Sequence, residues 1–384
     1  MRQKKLYTHI KKEQSAEKCE GGGQRTLVYD WLRLIATIFV VIGHSAYLQI
    51  ITMHGGVSYE IPIDINSIYY STMFEWQRYL AGWVYGFHMP LFFMLSGAVL
   101  ALKPLGAFDD FVKSKIERLL IPYFVWGWLF MLPIKRLGNF YNQDSLLSAL
   151  KGFWGGEDSG HLWFLTALFW CMIIFYLMKK VLEKIEVSSN FLLLFLAGIV
   201  CVTYTYIPFD FLGFKVGVGY LFYFALGWIF EKERQTHRHW NLKKLILAGI
   251  IVLLIEALNK KYDILNSFFA IIVGSFLTYI FADFCDKIFT KAPKCRLWVI
   301  TSRNLFYVYI FHDPLNYLIL KLFMEKRILS SQIGCILYLF SRTLLLFIIS
   351  ILLGEAVRLM KRAIGIIIKD KAQNSVEYMH SIDT

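Results

Sequence analysis

The first chemical information lies in a few ionisable side chains inside an apolar segment. Residues 29–48 read YDWLRLIATIFVVIGHSAYL, with Asp30 and Arg33 near the start and His44 near the end. Ionisable groups are expensive inside a bilayer, and where they occur they face the interior of a helix bundle. Eleven residues separate Arg33 from His44. That is close to three helical turns, or ~16 Å, so the two share one face at different depths. A cation at one end and an imidazole further along suit a reaction that docks an anion and moves a proton. Two plainer readings stand beside this one. Arg33 could snorkel to an interface, and His44 could make a structural hydrogen bond between helices.

Further histidines recur in similar surroundings. GFHMPLFFMLSG places His88 two residues before Pro90, with Ser96 and Gly97 where helices can approach closely. GHLWFLTALFW opens on His161 and Trp163, and SRNLFYVYIFHDPL sets His312, Asp313 and Pro314 side by side. Four histidines on four expected helices point to acid–base work or to orienting a substrate. No HExxH or similar ligand spacing occurs, and no metal is expected. FVKSKIERLLIP gathers Lys113, Lys115 and Arg118 at a helix start. Ordinary interfacial charge and docking of an anionic ligand both fit that cluster. Trp163 likewise fits the aromatic belt of a membrane interface as well as a binding site.

These residues need elements that hold them in a bilayer, and the composition supplies them. The chain has 384 residues, 57% of them hydrophobic and 18% charged, against ~25% charged in soluble proteins. The apolar residues come in blocks, at roughly 29–51, 78–102, 118–134, 161–178, 191–207, 216–231, 244–258, 264–283, 303–323 and 335–353. A helix needs ~17–25 residues to span a bilayer. The expectation is therefore an all-α, polytopic transmembrane bundle of about ten spans. The net charge of +13 is distributed between the blocks. With the N-terminus placed inside, 29 of the 41 Lys and Arg fall on inside segments and 10 on outside ones, so both termini are expected in the cytoplasm. This explains the charge without nucleic acid. The expected organisation is a basic N-terminal segment 1–28, a transmembrane domain 29–353 and a cytoplasmic tail 354–384. The six cysteines are scattered and make no metal or redox pair.

The order and spacing of these motifs resemble the acyltransferase-3 family of membrane O-acyltransferases. Arg33 and His44 fall on that family's opening helix, FHMPLFFMLSG on its second block, and KIERLLIP on a basic motif ending in proline. That motif usually carries two arginines; here the first is Lys115 and Arg118 is kept. HLWFL resembles the variant in enzymes that modify surface polysaccharides and related sugars, and NLFYVYIFHDPL resembles a late helix. The resemblance implies transfer of an acyl group, often acetyl, from cytoplasmic acyl-CoA to a hydroxyl of an extracytoplasmic or lipid-linked glycan. It implies a multi-pass protein of the cell membrane, most simply the bacterial cytoplasmic membrane, embedded in lipid, and leaves a homodimer open. His44 would be the base, with Arg33 and Asp30 supporting it. Arg33, Lys115 and Arg118 would hold CoA, and His88, His161, Trp163 and His312 would hold the acceptor. A transporter or exporter of a polar or anionic solute or glycan is the alternative, since it too would use intramembrane charge and broken helices.

Overall fold

In a bilayer every backbone N–H must find an internal partner, which leaves long apolar blocks with little choice but helix. The computed structural model describes residues 27–45, 49–52, 55–58, 68–138, 146–186, 189–236, 267–289, 295–323 and 332–382. Helix α1 is Leu27–Ser45. A small antiparallel hairpin follows, with β1 Gln49–Thr52 paired to β2 Gly55–Ser58. Helix α2, Ile68–Ala101, runs through Pro90 without stopping.

Next comes a helical run broken into α3 Phe108–Lys115, α4 Ile121–Trp126 and α5 Leu132–Leu137. The breaks are two π-helical turns, Ile116–Leu120 and Gly127–Met131. Proline explains both. Pro122 and Pro133 have no N–H to offer the fourth residue back, so the ladder slips by one. The Ile121 N–H bonds Ile116 O and the Leu132 N–H bonds Gly127 O, five residues back in each case.

The remaining helices are α6 Leu146–Gly155, α7 Trp163–Lys184, α8 Asn190–Thr203, α9 Phe214–Gly219, α10 Leu221–Thr236, α11 Ser267–Ile288, α12 Arg296–Phe323 and α13 Gln332–Ile382. The closest crossing joins α2 to α10. A Cβ on Gly97 would lie 2.0 Å from Phe224 O, and one on Gly227 would lie 1.9 Å from Met94 O. Two glycines therefore let the backbones touch.

The expected bundle of about ten spans with both termini in the cytoplasm is not what the structure gives. Among the described residues, four helices are long and apolar enough to cross a bilayer: Leu27–Ser45, Gly82–Ala101, Leu147–Lys184 and Phe340–Ile364. A fifth is reached if Phe211–Gly219 and Leu221–Gln235, bent 58° apart, count as one. The missing spans have local causes. The block at 118–134 is cut by the π-turns, and Asn190–Tyr206 is too short. Helix α12 carries Arg303, His312, Asp313, Asn316 and Lys321. The block at 244–258 and residues 1–26 lie outside the described residues. The inside and outside assignment relied on ten alternating crossings, so it falls with the count.

The α2–α10 crossing yields a direct test. Gly227→Ala must part the two helices, a change that costs about 1–3 kcal/mol in a tightly packed interior. The melting temperature of the detergent-purified protein should fall by several degrees. An unchanged melting temperature would mean that the crossing is looser than described.

Candidate active site

A buried polar cluster forms where α1 ends against α12 and the start of α7. His44 lies in the last turn of α1, and its Nδ1 is 2.7 Å from Asp313 Oδ1. The other carboxylate oxygen, Oδ2, is 3.1 Å from His161 Nδ1, an ion-pair contact rather than an aligned hydrogen bond. Tyr317 Oη also approaches Oδ2, at 3.5 Å. An ionised carboxylate can only accept, so the His44 proton sits on Nδ1 and the lone pair on Nε2. That is how a base is made ready when a carboxylate orients an imidazole.

His161 is held from behind by a consequence of proline. Pro314 lacks the N–H that would bond the carbonyl four residues earlier, which is Ile310 O. His161 Nε2 donates to that freed carbonyl at 2.9 Å. The Tyr309 hydroxyl donates to His161 O at 2.5 Å. His312 uses Nδ1 on the carbonyls of Val308 and Tyr309, at 2.9 and 2.8 Å. Its Nε2 is buried and meets no hydrogen-bond partner among the described residues. The His312 ring stands edge-on to His44, with centroids 4.9 Å apart, and to His161 at 5.4 Å. His88 donates Nδ1 to Val84 O at 2.9 Å and reaches the group through Tyr85, whose ring is 4.7 Å from His88 and 5.7 Å from His44.

A cavity of about 1420 Å³ joins this cluster to the basic residues, larger than the ~300–1,000 Å³ of most small-molecule sites. Arg33, Lys103, Lys115 and Arg118 line it, and so do His44, His88, His161, Trp163, His312 and Asp313. Its wall also includes Val40, Phe92, Leu95, Leu168 and Met172. Arg33 Nη1 lies 3.3 Å from Asp30 Oδ1. Asp30 is buried and does not line the cavity, whereas Arg33 does. Lys115 is partly buried, with Nζ 4.7 Å from the Phe111 ring centre. Burial first, then the adjacent cations Arg118 and Lys103, hold its ammonium below the usual lysine pKa. An anion placed among these cations would relieve that repulsion. Trp163 stacks on Tyr220 at 5.8 Å.

The candidate residues named from sequence line one cavity with the exception of Asp30, and Asp313 had been given no role. Lys135 was counted as loop charge; it is 3% exposed and lines the same cavity, with Nζ 5.4 Å from the Tyr317 ring centre. The adjacency of His312, Asp313 and Pro314 was the available signal for Asp313. Nothing in sequence spacing marked Lys135. Among the described residues, no group of three or more His, Cys, Asp or Glu could hold a metal ion.

The acyltransferase family model, described as an acyltransferase domain, matches residues 27–355. The chain therefore belongs to the acyltransferase-3 family. It is also 25% identical over 234 residues to the nodulation protein NolL of Sinorhizobium fredii (strain NBRC 101917 / NGR234), a match covering 59% of this chain and 55% of that protein. The chain thus spans about half the length of that curated relative. No solved structure matches.

The proline-freed carbonyl makes a prediction in which stability and activity diverge. Pro314→Ala restores an N–H that competes with His161 for Ile310 O. Acyl transfer should fall about tenfold or more as the Asp313 cluster loosens, while the melting temperature holds or rises. Both falling together would contradict this role for Pro314.

Proposed function

We propose that the chain transfers an acyl group, acetyl in the simplest case, from cytoplasmic acyl-CoA to a hydroxyl of an extracytoplasmic or lipid-linked glycan. The cavity itself carries this reading, because four cations and a carboxylate-held imidazole line one continuous space. The cations suit the phosphates of CoA, the apolar wall suits its pantetheine arm, and the imidazoles suit the reacting thioester. We place residues 29–353 in the membrane as the catalytic unit, flanked by a basic N-terminal segment and a tail at 354–384.

His44 Nε2 takes the proton of the acceptor hydroxyl while that oxygen attacks the thioester carbonyl carbon. The carbon–sulfur bond breaks, His44 returns the proton to the departing thiolate, and the products are an ester and CoA. Asp313 holds the His44 ring throughout and stabilises its charged form. His312 Nε2, buried and without a hydrogen-bond partner among the described residues, can accept from a second sugar hydroxyl. His88 and Trp163 line the acceptor side, and His161 shapes it through Asp313. Arg33, Lys115 and Arg118 hold the donor.

Membranes containing the protein, given radiolabelled acetyl-CoA, should yield label in an alkali-labile ester. His44→Ala should abolish that label at normal protein levels. Full activity in His44→Ala would remove His44 from the chemistry, and label moved only as intact solute would favour transport. Arg118→Gln should raise the KM for acetyl-CoA about tenfold, the cost of one charge-assisted contact, with kcat nearly kept. An unchanged donor KM would place CoA elsewhere.

A further inference from the structure

We propose that Arg342 and Asn316 form a clamp on the end of α1 that fixes His44 against Asp313. The proposal rests on the reading of His44 as the base and adds two residues that never touch the substrate. Helix α1 ends at Ser45, one residue past His44. Carbonyls in the last turn of a helix have no intrahelical partner and must find one elsewhere. Asn316 Nδ2 donates to His44 O at 2.9 Å, and Arg342 Nη1 donates to Ser45 O at 2.8 Å. Arg342 Nε then donates to Asn316 Oδ1 at 2.7 Å.

That last bond decides which way the Asn316 amide faces. The guanidinium needs the oxygen and the His44 carbonyl needs the nitrogen, so a single amide orientation serves both. Without Arg342, the amide is free to turn its oxygen toward the His44 carbonyl, where two acceptors would repel.

Burial argues that this is more than packing. Arg342 is 1% exposed and Asn316 0%. A buried guanidinium in an apolar helix is costly, and leucine or methionine would fill the space at lower cost. Its charge also lies at the negative end of the α1 dipole, where a cation is favoured. Neither side chain lines the cavity, so both act through the α1 backbone.

The geometry gives α12 a double grip. Asp313 and Asn316 are three residues apart and share one face of that helix. Asp313 holds the His44 ring and Asn316 holds its main chain. Arg342, from α13, locks the second contact. Displacing a catalytic group by about 1 Å can cost about 100-fold in rate, so a loosened helix end should be felt in kcat.

The test uses the full-length protein in detergent with radiolabelled acetyl-CoA and its membrane acceptor. Arg342→Lys keeps the charge but cannot reach both oxygens, and Asn316→Asp keeps the shape but loses the donor. Both should lower kcat about 100-fold with little change in donor KM. Diethyl pyrocarbonate labelling, read at His44 by peptide mass spectrometry, should speed up in both variants. Arg303→Gln serves as a control: it breaks the Arg303–Glu355 pair between the same two helices, away from His44. It should lower the melting temperature without changing the labelling rate at His44. Wild-type kcat in both variants, or unchanged labelling at His44, would overturn the clamp. Absence of acyl transfer by the wild-type protein would instead overturn the acyltransferase reading, and the labelling would still decide the clamp.

Discussion

A carboxylate held away from water survives only while donors surround it, and Asp313 depends on neighbours from several parts of the chain. Removing one partner of such a group leaves an uncompensated charge, which costs far more than the contact itself contributes. His44 comes from the end of α1, His161 from the turn before α7, and Tyr317 from α12 itself. Their convergence ties the positions of three segments to one buried charge. The prolines of this region fit the same logic. A missing N–H frees a carbonyl at Ile310, and a histidine uses it.

The cavity sets this arrangement in one space with a group of cations. Arg33, Lys103, Lys115 and Arg118, aliphatic and aromatic side chains, and the imidazoles all line it, and Lys135 joins them beside Tyr317. The π-turns contribute to it. The first carries Arg118 and directly follows Lys115, and each precedes a proline that a regular helix could not accommodate without loss. Such turns are common where function needs a side chain re-aimed. The close crossing of α2 and α10, with Gly97 and Gly227 at the contact, braces the wall that carries His88.

Part of this was legible from sequence. Eleven residues of helix place Arg33 and His44 on one face, and both line one cavity. The basic cluster and the four histidines could be picked out because charge stands out against an apolar background. The number of spans could not. Hydropathy registers apolar length but not the slip in a helix before Pro122, nor the 58° bend between Phe211–Gly219 and Leu221–Gln235. Lys135 looked like loop charge, and Arg342 falls within the apolar block at 335–353 with nothing in the sequence to give it a role. What makes them informative is burial beside residues far away in the chain, and linear spacing carries no trace of it. Asp313 shows the same limit: its neighbours were visible, but its partnership with His44, 269 positions away, was not.

The most direct test of the account is a cryo-electron microscopy structure with a non-hydrolysable acetyl-CoA analogue bound. The account predicts nucleotide phosphates among Arg33, Lys115 and Arg118, with the acyl carbonyl beside His44 and Asp313. A CoA moiety bound outside this cavity, or one whose acyl group lies away from His44, would contradict it.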